Sequence, residues 1–170
     1  MLGTLAGSFA TCGSIALGAQ VALPLPKSVS ELPVTGQTLG AAVSGLLLGP
    51  LSASLGAALY IAAAATGLPV LAGGRHGPPP RGSWGFLGGF VFCSGICGVL
   101  KDRRCVFGHP VLVAALGQAG ALAAGASWMV VGMGSSCSAA WTRFVLPFLP
   151  GLALKSLAAW LIVSAVGPTS

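Results

Sequence analysis

Acidic residues are almost absent from this chain, which carries two Asp and Glu against eight Lys and Arg in 170 residues. Catalysis by a pair of carboxylates needs two acids in one site, and with only Glu31 and Asp102 available we exclude it. The phosphate-binding pattern G-x-x-x-x-G-K-[ST] is also missing, which excludes nucleotide binding by that route. The energy for any transport would therefore have to come from another protein.

Charge of either sign is scarce, since 6% of the residues are charged and 55% are hydrophobic. A soluble domain carries about 25% charged residues, and a surface with so few charges would not stay solvated. The composition therefore predicts a polytopic membrane protein. The basic residues are scattered without aromatic interleaving, so we expect no nucleic-acid partner. Cys93 and Cys97 share a helix face without a histidine or acidic ligand beside them, and Cys105 with His109 is interpreted as structural, so we predict neither a metal nor a cofactor.

Stretches without charge set the number of helices, because a helix needs about 20 apolar residues to cross the hydrocarbon layer. Gly49 and Pro50 divide the longest of these stretches, where a helix would break. We therefore predict an all-α fold, a bundle of six transmembrane helices in a single integral membrane domain over 1–170. The helices are expected over about 2–23, 34–48, 51–68, 84–100, 110–132 and 145–166. The first segment lacks a basic leader and is interpreted as a span rather than a signal peptide.

Orientation is only partly determined by the basic residues. The cluster Lys101, Arg103 and Arg104 predicts a cytoplasmic loop, which places both termini inside. The loops 24–33, 69–83 and 133–144 would then face outward, although they carry as many basic residues: Lys27, Arg75, Arg81 and Arg143. Either the topology is inverted, or the outer basic residues attract an anion.

Lys155 is the only charge in the apolar run 144–166. A lysine near the middle of a span costs about 2.5–3.5 kcal/mol on insertion scales. It lies eight residues past Pro147, or about 12 Å along a helix, so it would reach a headgroup only through a wet cavity. An anionic ligand about 4 Å from the ammonium group would contribute roughly 4 kcal/mol of attraction, which offsets this insertion cost. We therefore favour a ligand-facing role for Lys155 over snorkelling to the membrane surface.

Small residues recur at spacings of four, which lets helices approach closely in a membrane. Most of these pairs are interpreted as internal helix packing. Ala6 and Ala10 on the first helix are the exception discussed below.

Five segments, in this order and with similar gaps, resemble the BioY family, the biotin-specific substrate-binding components of energy-coupling factor transporters. They are GAQVALPLP (18–26), TGQTLGAAVSGLLLGP (35–50), LYIAAAATGLPVLAGG (59–74), SWGFLGGF (83–90) and LPFLPGLALKS (146–156). The resemblance implies a multi-pass protein, in the plasma membrane, that captures biotin and takes it up. It implies docking on a transmembrane coupling subunit that carries two ATPase subunits, and no enzymatic activity of its own. Membrane lipid is the remaining expected partner.

The same resemblance implies roles for individual residues. Lys155 falls on the lysine of the family pattern P-F-L-P-G-D-x-x-K, where it would hold the carboxylate or a ureido oxygen of biotin. Ala6 and Ala10 match the A-x-x-x-A pattern that contacts the coupling subunit, with ordinary packing as the alternative. The remaining substrate-binding candidates, each with a structural alternative, are Thr35 and Gln37 (or helix capping), Tyr60 (or a buried hydrogen bond), Trp84 and Phe86 (or an aromatic belt) and Gly73 in a lid.

One position departs from the pattern. Leu152 stands where the family has Asp, so a partner for Lys155 or for the ureido N–H groups is missing. Two other functions therefore stay open: a related component for another anionic vitamin, and a membrane scaffold that does not transport.

Overall fold

The computed structural model describes residues 2–30, 32–101 and 109–166. Within these ranges the chain forms seven α-helices: α1 (Leu2–Gln20), α2 (Gln37–Leu48), α3 (Pro50–Ala65), α4 (Trp84–Leu100), α5 (Pro110–Val131), α6 (Cys137–Phe144) and α7 (Leu149–Val166). Two short antiparallel strands, β1 (Ala22–Leu23) and β2 (Val34–Thr35), pair with each other. The predicted basic residues Arg103 and Arg104 lie outside the described residues.

The predicted all-α membrane bundle is confirmed. Four segments are long and apolar enough to cross a membrane: Leu2–Gln20, Arg81–Leu100, Pro110–Val131 and Cys137–Val166, the last of which contains both α6 and α7. The helices α2 and α3 are apolar but shorter. All of the long helices contribute to one core, whose fully buried members include Ile15, Ala57 and Ala121.

The first two helices are shorter than predicted. α1 ends at Gln20 instead of residue 23, and α2 begins at Gln37 instead of residue 34. The reason is the ribbon formed by β1 and β2, because Ala22 pairs with Thr35 and Leu23 pairs with Val34. The backbone groups of these residues form hydrogen bonds between two extended strands rather than within a helix. The following Pro24 could not have continued α1 in any case.

α3 begins at Pro50 and ends at Ala65, three residues before its predicted end. Gly67, which has a φ of 86°, follows the helix and turns the chain into the loop before α4. At the other end of α3, Gly49 (φ 83°, ψ 172°) reverses the chain between α2 and α3. Only glycine adopts this backbone conformation readily, which explains the Gly-Pro break seen in the sequence.

The prediction of a loop over 133–144 is wrong, since it contains α6. The Ser136 hydroxyl caps this helix by accepting a hydrogen bond from the Ala139 N–H at 3.2 Å. Within the helix, Ala140 and Phe144 are buried. The last helix, predicted from residue 145, becomes α-helical only at Leu149, after the 3-10 turn Leu146–Phe148. Prolines at 147 and 150 fit these first turns because they lack an N–H group to donate.

The bundle has two distinct ends. Lys101 lies at one of them, together with Leu46 near the end of α2 and Val163 near the end of α7. At the opposite end, Gly36 before α2 meets Gly18 near the end of α1, and Val34 meets Gly151 near the start of α7. These are called the Lys101 end and the cavity end below. The loops predicted to face one side of the membrane converge on the cavity end.

Small residues form the contacts between helices, as their spacing predicted. A Cβ on Gly89 of α4 would lie 2.7 Å from the Ala121 carbonyl oxygen of α5, and one on Gly45 of α2 would lie 2.5 Å from the Ser94 carbonyl oxygen of α4. Such close backbone contact is typical of membrane bundles, in which packing replaces the hydrophobic effect between helices.

Candidate ligand-binding site

A cavity of about 480 Å³ opens at the cavity end of the bundle. Its volume lies in the ordinary range for sites that bind small molecules, roughly 300–1,000 Å³. Polar or charged residues on its wall are Thr35, Gln37, Thr38, Arg75, Ser83, Gln118 and Lys155. The apolar wall includes Leu32, Leu71, Phe86, Leu87, Phe90, Leu122, Met129, Met133, Phe144, Phe148 and Leu152. The cavity thus combines a large apolar surface with a small set of polar groups.

Lys155 extends from the second turn of α7 into this cavity. Its Nζ donates to the Thr38 hydroxyl at 2.6 Å and to the Thr35 carbonyl oxygen at 3.3 Å. The side chain is half-buried and lies on the cavity wall. An ammonium group has three N–H donors, and within the described residues two of them are used. The third is available to a ligand.

The described part of the chain contains no acidic side chain, because the only two acids of the sequence, Glu31 and Asp102, lie outside it. Arg75 contributes a second cation to the cavity wall and is exposed. The described wall therefore carries two cations and no carboxylate. Such a wall favours an anionic or strongly hydrogen-bond-accepting ligand.

Thr35 and Gln37, two of the predicted substrate-binding residues, lie on the wall at the start of α2. The Thr35 hydroxyl donates to Gln37 Oε1 at 2.7 Å, and Gln37 Nε2 donates to the Tyr60 hydroxyl. Tyr60 is fully buried on α3 and donates in turn to the Val70 carbonyl oxygen at 2.9 Å. Tyr60 thus lies behind Gln37 rather than on the cavity wall. It orients the Gln37 amide and joins the loop at Val70 to α3.

Close glycine contacts fix the position of Thr35 and Gln37. Gly18 of α1 lies against Gly36, and a Cβ on Gly18 would come within 2.5 Å of the Gly36 carbonyl oxygen. The Gly36 N–H also donates to the Gly18 carbonyl oxygen at 2.9 Å. On the other side, Gly151 of α7 leaves room for Val34, whose Cγ1 would be 3.2 Å from an added Cβ. The ribbon and the start of α2 are therefore held between α1 and α7, one turn from Lys155.

Phe86, another predicted substrate-binding residue, lies on the apolar wall. Its ring centroid is 6.5 Å from those of both Phe144 and Phe148. Gly125 of α5 allows this position, because a Cβ there would overlap the Phe86 ring. Aromatic groups at these distances and tilts pack favourably and offer a flat apolar surface to a ligand.

The structure does not bring the other two predicted residues to the wall. Trp84 is half-buried against the core at the first residue of α4. Gly73 (φ 67°) is exposed in the turn Ala72–Gly74, while the preceding Leu71 and Ala72 line the cavity. The positive φ agrees with the predicted tight turn, and the binding roles of Gly73 and Trp84 remain predictions.

The sequence interpretation missed several wall residues, above all Thr38, Gln118 and Phe144. Gln118 is 1% exposed and lies midway along the apolar helix α5. A polar residue in the middle of a span is a signal of function that could have identified it. Phe144 could not have been found in the same way, because its position depends on α6, which was predicted as a loop.

Ala6 and Ala10 lie on the outer face of α1, where both are exposed. The inner face of the same helix carries Gly7, Ser8 and Thr11, which are buried against α3. The two alanines therefore take no part in packing within the described bundle.

Comparisons with known proteins agree on one family. A model of the BioY family matches residues 3–169. A biotin transporter BioY from Rhodobacter capsulatus is 31% identical across 96% of this chain and 91% of that protein. Another from Rhizobium etli is 34% identical over 92 residues, a match that spans 49% of that relative's length. The crystal structure of the S-component for biotin from an ECF-type ABC transporter shares the fold, with a TM-score of 0.83 at 22% identity over 99% of this chain and 93% of that one.

Proposed function

Because this chain belongs to the BioY family, we propose that it captures biotin for uptake as the substrate-binding component of an energy-coupling factor transporter. It is a multi-pass integral membrane protein of the plasma membrane. We infer that residues 1–170 act as one integral membrane domain. Its relatives named above are biotin transporters, and the solved structure with the same fold is a biotin-binding S-component.

The observation that carries this proposal is the pairing of one ammonium with an aromatic wall in a single cavity. Biotin has a carboxylate tail, an apolar bicycle and a ureido group with two donors and one acceptor. The Lys155 N–H that has no partner among the described residues would bind the carboxylate or the ureido oxygen. Phe86 and its neighbours Phe144 and Phe148 would cover the bicycle. Thr35 and Gln37 would complete the polar contacts.

Partners follow from the same assignment. We propose that Ala6 and Ala10, exposed on α1, contact the transmembrane coupling subunit, since small residues let a partner helix approach closely. The ATPase subunits would act through that subunit. We further propose that the chain has no enzymatic activity and needs no cofactor, with biotin bound only as cargo.

Leu152 favours a second candidate function. This residue lines the cavity, so the departure from the family's Asp alters the ligand site itself. A site without that acid offers fewer acceptors for ureido N–H donors. A related anionic vitamin with fewer N–H groups is therefore the alternative ligand.

Thermal unfolding of the purified protein tests the proposal, because a ligand that binds only the folded state raises its stability. Saturating biotin at about 100 times its Kd should add about 2.7 kcal/mol of stability. The Lys155→Met variant should lose this stabilisation. No shift of the wild-type transition with biotin, together with a shift for a different anionic vitamin, would support the second candidate. No shift with any of them would favour a scaffold without transport function.

A further inference from the structure

We propose that Gln118, acting through Thr38, is a positioning residue that aims the Lys155 ammonium into the cavity. This inference rests on the proposed function, in which Lys155 binds the ligand. Its basis is a chain of four hydrogen bonds that runs from Lys155 through α2 and α5 and returns to α7. Every member of the chain is a described residue.

The bonds of this chain have a defined direction. Lys155 Nζ donates to Thr38 Oγ1 at 2.6 Å, and the Thr38 hydroxyl donates to Gln118 Oε1 at 3.2 Å. Gln118 Nε2 then donates to Ser156 Oγ at 2.9 Å, and the Ser156 hydroxyl donates to the Leu152 carbonyl oxygen at 2.8 Å. Each hydroxyl accepts one bond and donates one, so the bonds of the chain run in one direction, from Lys155 to the Leu152 carbonyl oxygen.

The direction is set by the backbone of α7. The Ser156 hydroxyl donates its proton to the Leu152 carbonyl oxygen, which leaves the Ser156 oxygen to accept from Gln118. The Gln118 amide nitrogen therefore faces Ser156, and its oxygen faces Thr38. That oxygen holds the Thr38 proton away from Lys155, which leaves a Thr38 lone pair for the ammonium.

Burial makes this arrangement rigid. Gln118 and Ser156 are each 1% exposed, so neither can replace a lost partner with bulk water. A buried polar group without a partner costs about 1–3 kcal/mol. Without Gln118, the Thr38 hydroxyl proton would lose its acceptor, and the Thr38 side chain would lose the bond that fixes its rotamer beside Lys155. The closest acceptor of the ammonium, and with it the orientation of the remaining N–H, would then no longer be held in place.

The chain of bonds also survives the departure from the family pattern at position 152. Its last acceptor is the main-chain carbonyl of Leu152, which is independent of the side chain. Lys155 is thereby held in place although the neighbouring acid is missing. The neutral relay therefore orients Lys155 without an acid at position 152.

Equilibrium biotin binding by purified variants tests the role of Gln118. Gln118→Met, which keeps the length of the side chain and removes both bonds, should weaken binding about 10-fold. Gln20→Met is the matched control, because Gln20 is exposed at the end of α1 and its side chain bonds, among the described residues, only within its own helix. The affinity of this variant for biotin should be unchanged. Thr38→Val should weaken binding by a similar factor, whereas Thr38→Ser, which retains the hydroxyl, should stay within about twofold of the wild type.

The double variant separates positioning from general destabilisation. If both residues act through one hydroxyl, Thr38→Val with Gln118→Met should bind about as weakly as the poorer single variant, and not about 100-fold more weakly than the wild type. Unchanged affinity in Gln118→Met, additive losses, or a Thr38→Ser variant as weak as Thr38→Val would each overturn the inference. Should Gln118→Met fail to fold, the Val and Ser variants of Thr38 decide alone. Failure of the wild type to bind biotin would instead contradict the proposed function.

Discussion

Two lysines lie at opposite ends of the bundle in very different surroundings. Lys101 follows the last residue of α4, where the negative end of the helix dipole favours a cation. The space beside it is about 20 Å³, which holds about one water molecule and is far too small for a ligand. Lys155 lies in the second turn of α7, far from that helix's negative end, beside a cavity of about 480 Å³.

The comparison shows that the fold stabilises the charge of Lys101 without a ligand, whereas it stabilises the charge of Lys155 only in part. Lys101 gains its stabilisation from the dipole of its own helix. Lys155 has two neutral acceptors and faces an open cavity, so its cost of insertion is only partly offset by the described protein. We therefore assign binding to the cavity end and stability to the Lys101 end. Substitutions at matched pairs of residues test this assignment.

The largest effect is expected for Lys155→Met compared with Lys101→Met. Removing one partner of a desolvated charge contact costs about 2–5 kcal/mol, so Lys155→Met should weaken biotin binding by about 100-fold or more. Lys101→Met should leave the affinity within about twofold. Titration calorimetry on both proteins measures the difference, and equal losses would remove the distinction between the two ends.

The second prediction compares two phenylalanines of α4. Phe86 lies on the cavity wall, whereas Phe92 is 61% exposed on the outside of the bundle. Phe86→Ala should remove about 2 kcal/mol of apolar contact with the ligand and weaken binding about 30-fold. Phe92→Ala should bind biotin like the wild type. Equilibrium dialysis with labelled biotin measures both affinities. Equal affinities of the two variants would contradict the assignment of Phe86 to the binding site.

Two glycines of α1 form the third pair. A Cβ on Gly18 would collide with the backbone of Gly36, while one on Gly13 would meet nothing within 4 Å. Gly18→Ala should shift the start of α2, lower stability by about 1–3 kcal/mol and weaken biotin binding about fivefold. Gly13→Ala should be neutral or slightly stabilising, since alanine is the better helix former. Thermal unfolding with and without biotin measures the change in stability and the change in binding. A Gly18→Ala variant without either change would show that the contact between Gly18 and Gly36 does not position the binding site.

The smallest effect is expected for the exposed arginines. Arg75→Gln should lower the association rate of biotin about threefold at low salt, with the difference vanishing at high salt, because Arg75 lies on the cavity wall and its charge is screened by ions. Arg143→Gln, also exposed but away from the wall, should not change the rate. Stopped-flow binding at two salt concentrations checks the pair. A salt-independent loss in Arg75→Gln would indicate a direct contact instead of steering.

Much of the fold and part of the site could be predicted from the sequence, for identifiable physical reasons. An unpaired lysine in an apolar run is costly, which is why the residues around Lys155 alone indicated a cavity beside it. The Gly-Pro break between α2 and α3 was equally predictable, because only glycine fits the turn at Gly49. The scarcity of charged residues was enough to predict a membrane protein, because a surface with so few charges would not stay solvated in water.

What was missed depends on contacts between distant segments. The end of α1 and the start of α2 are set by pairing between residues 22–23 and 34–35, which no local pattern reports. α6 owes its helix to burial of Ala140 and Phe144 against the bundle. The chain of bonds through Gln118 links residues up to 117 positions apart, so only their packing reveals it.

A structure of the protein determined with biotin bound is the most direct test of the role of Lys155. We predict that biotin lies in the cavity at the cavity end, with one of its oxygens about 2.8–3.2 Å from Lys155 Nζ and its bicycle against Phe86. Biotin bound elsewhere, or within the cavity but away from Lys155, would contradict this assignment.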